Sequence, residues 1–257
     1  MIRAVFFDID GTLMSLQTRT IPDGVFEALH ALKEKGIRLF IATGRGKDGL
    51  KVLADFPFDG YITLNGQFCY DADGTVIYEN TIDPRDIAKL DEILQEHPFP
   101  CGYVLRDTKV FNFRDERVDE VHAITGNDAH PAGDTSHMAS KKVYQVMAFI
   151  DEAEEKQVLQ KLTHCTAARW YPTFCDLSPL GGTKVKGIDR FLGYYDIPLR
   201  EALSLGDGGN DYEMLKHTGY ACAMGNAGDA LKSIADFVTE DADHDGIRMA
   251  LRHYGLL

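Results

Sequence analysis

The sequence is short of positive charge. It sets 27 Lys and Arg against 40 Asp and Glu, a formal net charge of −13 over 257 residues. Nucleic-acid affinity comes largely from basic side chains that neutralise phosphates, so this balance excludes a nucleic-acid binder. It does not exclude a small phosphorylated ligand, because a few cationic groups and a bound metal can override the overall sign locally. Cysteine is sparse as well: Cys69, Cys101, Cys165, Cys175 and Cys222 are dispersed, with no Cys-x-x-Cys pair. An odd, scattered set excludes a disulfide framework or a zinc site and fits reduced thiols in a cytoplasmic protein. The nine histidines show no His-x-x-x-His spacing, which argues against zinc chemistry. No apolar run approaches membrane-spanning length, so no membrane partner is expected. A carboxylate at position 8 comes too early for a signal peptide. Internal repeats and low-complexity tracts are absent.

Hydrophobic residues, at 44%, are plentiful enough for a substantial core, in one large domain or two modest ones. Residues 4–7, Ala-Val-Phe-Phe, form a short apolar run that stops at acid and glycine, as a strand buried on both faces does. The spacing of Val25, Phe26, Leu29 and Leu32 predicts a helix over 23–35, with Gly36 as its stop. A strand over 37–42, a short helix over 48–54 and a strand over 61–64 continue the alternation that marks a parallel sheet covered by helices. Asp71-Ala72-Asp73-Gly74 then reads as the turn of a hairpin between 68–70 and 76–78.

From 83 to 179 the elements are mixed. Helices are expected over 84–96, 116–124 and 152–162, and strands over 103–105, 110–113, 143–150, 167–171 and 174–177. The first rhythm then resumes with a helix over 183–195, strands over 202–205 and 220–224, and helices over 212–217, 228–234 and 246–254. The expected fold is α/β. Residues 1–82 and 180–257 are expected to build a parallel-sheet core, and residues 83–179 an inserted α+β cap.

Open parallel sheets bind ligands at the carboxyl ends of their strands. Four polar clusters fall there: Asp8 with Asp10, Thr43 with Gly44, Asn65-Gly66, and Asp207-Gly208-Gly209-Asn210-Asp211. Several acids in one crevice raise each other's pKa unless a cation joins them. An oxygen-only donor set suits Mg²⁺ with part of its water shell and a substrate phosphate. Asp8 and Asp10 can face the same crevice, one carboxylate attacking phosphorus while the other handles protons. Each like-charge pair in that approach costs about 4 kcal/mol at roughly 4 Å and an effective dielectric near 20. Magnesium and a lysine would cancel the repulsion, and Lys184 and Lys186 are the candidates. Thr43-Gly44 can offer a hydroxyl and backbone N–H groups to phosphate oxygens, or serve as an ordinary helix cap. Gly225-Asn226-Ala227 and His244-Asp245-Gly246 read as caps or loop packing.

These residues together resemble the haloacid dehalogenase-like superfamily, in its Cof-type sugar-phosphatase branch, over essentially the whole chain. Asp8-Ile9-Asp10-Gly11-Thr12-Leu13 is similar to the first motif, and Ala42-Thr43-Gly44-Arg45 to the second. Gly182-Thr183-Lys184-Val185-Lys186-Gly187 is similar to the third, and Gly206-Asp207-Gly208-Gly209-Asn210-Asp211 to the fourth. The resemblance implies a Rossmann-like core over residues 1–82 and 180–257, with a C2-type cap inserted between the second and third motifs. It makes Asp8 the nucleophile and Asp10 the general acid, then base. Mg²⁺ would be held by the Asp8 carboxylate, the Asp10 carbonyl and the Asp207 carboxylate, with Asp211 supporting them. Thr43, Gly44, Lys184 and Asn210 would hold the phosphate. Two lysines occupy the third motif, and the alignment of Gly187-Ile188 with the helix that follows favours Lys184. Arg45, Asn65 and Asp176 are candidate substrate contacts.

The expected activity is magnesium-dependent hydrolysis of small phosphomonoesters, sugar phosphates foremost. The expected partner is a small phosphorylated metabolite, with the chain acting as a monomer or weak dimer. A phosphohexomutase of the same superfamily is the nearest rival, and a non-catalytic sugar-phosphate-binding regulator the rival from another class. A phospho-receiver domain is about half as long and has no place for the insertion.

Overall fold

Ala4–Phe7 form the first strand, β1, and all four residues are fully buried, as a run without polar side chains requires. The structure, a computed structural model, describes residues 1–125 and 132–257. β1 is paired in parallel on both sides, with β2 (Arg38–Ala42) and with β11 (Ala202–Gly206). Beyond β2 lie β3 (Gly60–Thr63), β4 (Phe68–Asp71) and β5 (Val76–Glu79); beyond β11 lie β12 (Tyr220–Ala223) and β13 (Phe237–Val238). The eight-stranded sheet is parallel except for β4 and β5, which form the antiparallel hairpin expected around Gly74. There the Asp71 carboxylate accepts from the N–H groups of Asp73 and Thr75, and Gly74 takes a left-handed φ of 81°.

Alternate side chains of β1 feed two separate layers. Val5 and Phe7 face helices α1 (Asp23–Glu34) and α8 (Gly246–His253), which contribute Val25, Leu29, Leu32, Ile247 and Leu251. Ala4 and Phe6 face α5 (Lys184–Tyr194), α6 (Tyr212–His217) and α7 (Asp229–Lys232), where Phe6, Phe40 and Phe191 pack with ring centroids 4.7 and 4.9 Å apart. Two details differ from expectation. The segment over 48–54 is a 3₁₀ run, Lys47–Leu53, stopped by left-handed Ala54 and Asp55. The two-residue β13 carries too little pattern to be read as a strand.

Residues Met1–Glu79 and Thr183–Leu257 form one compact unit, and Asn80–Gly182 form another. The second unit holds α2 (Pro84–Glu96), β6 (Cys101–Val104), β7 (Lys109–Phe111) and α3 (Glu116–Thr125). It continues with β8 (Gln145–Ala148), α4 (Glu152–Lys161), β9 (Cys165–Tyr171) and β10 (Phe174–Pro179). Its five strands are antiparallel in the order β7-β6-β8-β10-β9. α2 and α4 seal one face through Ile87, Leu90, Ile93 and Val158. Both helices start on a capping aspartate: Asp83 accepts from the Arg85 N–H, and Asp151 forms a capping box with Glu154. The Asn80 amide donates to the Leu180 carbonyl at 3.2 Å, joining the two ends of this unit. No helix among the described residues is long and apolar enough to cross a membrane.

Candidate active site

The strand order reverses at β1. The chain adds β2 and β3 on one side and returns to add β11, β12 and β13 on the other. Such a reversal opens a crevice beyond the carboxyl ends of the central strands. Asp8 follows β1, Thr43 follows β2 and Asp207 follows β11, so three separated stretches of chain deliver polar side chains to one place.

Lys184 sits at the centre of the buried charge. Thr183 caps α5 by accepting from the Lys186 N–H, which turns Lys184 inward, only 2% exposed, and leaves Lys186 exposed. The Lys184 ammonium donates to Asp8 Oδ1 and to Asp211 Oδ1, each at 2.6 Å. Asp211 Oδ2 in turn accepts the N–H groups of Asp207 and Gly208, both at 3.0 Å. Asp211 is therefore fully engaged in holding the loop and the lysine. Burial pushes the Asp8 carboxyl well above the usual carboxylate range; Lys184 opposes this, and the Asp211 and Asp207 charges add to it. Burial also works to lower the Lys184 pKa, but Asp8 and Asp211 outweigh it and hold the ammonium above its usual value.

Asp207 is held by neutral donors. Thr12 Oγ1 donates to its Oδ1 at 3.2 Å and Asn226 Nδ2 to its Oδ2 at 2.9 Å. Burial and the Asp211 charge push its pKa up to about 6, against the Thr12 bond and the Lys184 charge. Gly11, with φ at 75°, brings the backbone so close that a Cβ there would stand 2.2 Å from Asp207 Oδ2. Asp8, Asp207 and Asp211 offer carboxylate oxygens that all lie within 4.8 Å of one another. Three acids against one lysine, with two carboxyl groups raised by burial, form an oxygen-only set short of positive charge. That set fits a divalent cation of the hard, oxygen-seeking kind.

Asp10 is placed differently. Its side chain is 45% exposed and lies in the fork of Arg45, whose Nε and Nη2 donate to its two oxygens at 2.8 and 2.7 Å. Arg45 also donates to the Gly49 carbonyl at 2.7 Å, and its own pKa rises chiefly through the Asp10 bond. The structure thus sets Arg45 on Asp10, where the sequence suggested a substrate contact. Thr43 is buried, and its hydroxyl accepts the Arg45 N–H at 3.2 Å. Gly44 lies against the Asn65 amide, and Asn65 Oδ1 accepts from Asn210 Nδ2 at 3.0 Å. Leu64 and Asn65 both adopt left-handed φ, 52° and 53°, held by bonds from their N–H groups to the Arg45 and Thr43 carbonyls. Asp176 belongs to β10 of the 80–182 unit, where the Gln145 amide bonds it. Asn226, read from sequence as loop packing, contacts Asp207 directly. The available signal was its position just past β12, one more strand end on the same side of the sheet.

A family model for haloacid dehalogenase-like hydrolases matches residues 5–251. The chain belongs to the haloacid dehalogenase-like hydrolases. A solved sugar phosphatase of subclass IIB in this superfamily, BT4131, is 39% identical with a TM-score of 0.86, covering 99% of this hydrolase and 100% of that chain. The superfamily phosphatase BT1666 from Bacteroides thetaiotaomicron is 35% identical with a TM-score of 0.91, covering 100% and 96%. YkrA from Bacillus subtilis (strain 168), provisionally named a phosphatase, is 31% identical over 260 residues, 99% of this hydrolase and 98% of YkrA. The fold is accordingly the α/β fold of the family, and the hydrolase is a phosphatase of that superfamily.

Proposed function

We propose that this phosphatase hydrolyses small phosphomonoesters, sugar phosphates foremost, through an aspartyl-phosphate on Asp8. The supporting observation is the Asp8–Lys184 pair: a buried carboxylate at the strand end, held at 2.6 Å by an equally buried ammonium. In the first step an Asp8 oxygen bonds to phosphorus, the bond from phosphorus to the ester oxygen breaks, and the Asp10 carboxyl gives its proton to the leaving alcohol. In the second, water loses a proton to the Asp10 carboxylate and attacks phosphorus, the bond to Asp8 breaks, and inorganic phosphate leaves. The Thr43 hydroxyl, the Gly44 N–H, Lys184 and the Asn210 amide hold the phosphate oxygens. Asn65 orients Asn210, and the two-point Arg45 contact keeps Asp10 aligned. The carboxylates of Asp8 and Asp207 and the carbonyl of Asp10 would hold a magnesium ion, which would supply positive charge against the phosphate. We assign substrate selection to the 80–182 unit, with Asp176 among its polar candidates.

Sugar phosphates are the favoured class because BT4131, covered end to end, is a sugar phosphatase. The test is phosphate release from a panel of sugar phosphates, nucleotides and cofactor phosphates, with magnesium and with EDTA. Asp8→Asn should lower turnover by on the order of 10³-fold or more, and brief exposure of the wild type to a labelled substrate should leave acid-stable label on the protein. Near-normal phosphate release by Asp8→Asn would end the covalent reading. Isomerised sugar in place of inorganic phosphate would favour a mutase.

A further inference from the structure

Asn226 is the one residue beside the acidic cluster to which neither the motifs nor the proposed reaction gives a part. Its side-chain NH₂ spends both hydrogens on the site. Nδ2 donates to Asp207 Oδ2 and to the Gly11 carbonyl, each at 2.9 Å. Its Oδ1 accepts the Ala242 N–H at 3.3 Å. The opposite orientation of the amide would set oxygen against oxygen at both Asp207 and Gly11, so the donors can point only one way. The residue thereby joins the turn after β1, the turn after β11 and the loop before α8.

Its own backbone is fixed with unusual closeness. A Cβ at Gly225 would stand 2.7 Å from the Asp241 backbone nitrogen and 2.8 Å from the Glu240 carbonyl carbon, so only glycine lets this turn seat against the 240–242 loop. The Gly225 N–H donates to the Glu240 carbonyl at 3.1 Å. Asn226 is thus mounted on rigid backbone and aimed at a carboxylate whose other oxygen is already held by Thr12. With both oxygens held by neutral donors, Asp207 is fixed in a single orientation without a cationic partner on either oxygen, and the outward lone pairs of its oxygens remain for a cation. A cationic partner at either point would have neutralised the carboxylate and competed with a metal.

We infer that Asn226 is a positioning residue for metal binding: it holds Asp207 and the Gly11 carbonyl in register so that a divalent cation meets a preformed carboxylate. This rests on the proposed metal role of Asp207. The bland alternative is that Asn226 only ties down the 240–246 loop through Ala242. Two substitutions separate these roles. Asn226→Ala removes every bond. Asn226→Asp keeps an acceptor for the Ala242 N–H and the shape of the side chain, but removes the donors to Asp207 and Gly11.

The experiment is a magnesium chloride titration of the substrate-free protein, followed by the rise in melting temperature, for wild type and both variants. The magnesium concentration at half the full rise should move up by about 10–100-fold in Asn226→Ala and in Asn226→Asp alike. An Asn226→Asp variant that responds at the wild-type concentration, or at a lower one, overturns the inference and leaves the loop-tether role. A wild-type protein with no magnesium-dependent rise overturns the metal reading itself, and the inference with it. The melting temperature before magnesium is added reports any loss of folding separately, so a damaged fold is not mistaken for weak binding.

Discussion

The two ends of the eight-stranded sheet treat buried carboxylates in opposite ways. At the amino ends of the strands, Asp59 is satisfied completely: Lys33 donates at 3.0 Å, Arg38 at 2.7 Å and the Leu39 N–H at 2.8 Å. One acid meets two cations, both reaching water with part of their side chains. At the carboxyl ends Asp8 and Asp211 share the single ammonium of Lys184, Asp207 is held by the neutral donors of Thr12 and Asn226, and Arg45 is turned to Asp10. Asp59, Asp8 and Asp211 flank the same sheet and are similarly buried, so burial alone does not mark a site. The unbalanced charge does: an arrangement that folding by itself would neutralise has been left open to a positive partner.

Removing one charge from each end should sharpen that contrast. Lys184→Met leaves two buried carboxylates without their cation and should destabilise the metal-free protein by about 3–5 kcal/mol at neutral pH, measured by chemical denaturation. The deficit should shrink as pH falls, because the Asp8 carboxyl, which burial raises, takes up a proton and repulsion fades. A deficit that grew on acidification would contradict this picture of the pair. Asp59→Asn should cost less, about 1–2 kcal/mol, since Asn still accepts the Leu39 N–H and both cations can turn to solvent. Phosphate release per folded molecule should be unchanged, and a large fall in turnover would place the amino end in the mechanism after all.

The smallest effect is expected in the other unit. Burial pushes Asp176 up to about 6, against the opposing bonds from Gln145 and Trp170 and the Lys109 charge. A carboxyl raised in the folded state contributes stability that is complete below its usual range near 4 and is lost as pH rises to about 6. Asp176→Asn should therefore gain about 1 kcal/mol over wild type at pH 7 and nothing at pH 4, read from melting curves at the two pH values. An equal effect at both would remove charge from the explanation.

Much of the fold was legible because parallel strands buried on both faces are written as unbroken apolar runs. β1, β2 and β11 each end on a polar turn, so the sequence pattern located the strand ends where Asp8, Thr43 and Asp207 stand. Other parts depend on distances that one-dimensional spacing does not carry. Arg45 and Asp10 are 35 residues apart, and nothing local shows that a fork of two hydrogen bonds joins them. The choice between Lys184 and Lys186 rested on the motif; in three dimensions the Thr183 cap turns the first inward and the second out. Asn226 reads in the sequence as a cap or loop packing because a single amide in a turn has that look, and its partner Asp207 lies 19 residues back.

The Asn80–Leu180 hydrogen bond makes the 80–182 segment a cassette, closed on itself where it leaves the chain and where it returns. A cassette with adjoining ends can be lengthened, shortened or exchanged at one seam. For protein engineering, that seam is where a foreign module would be spliced in its place.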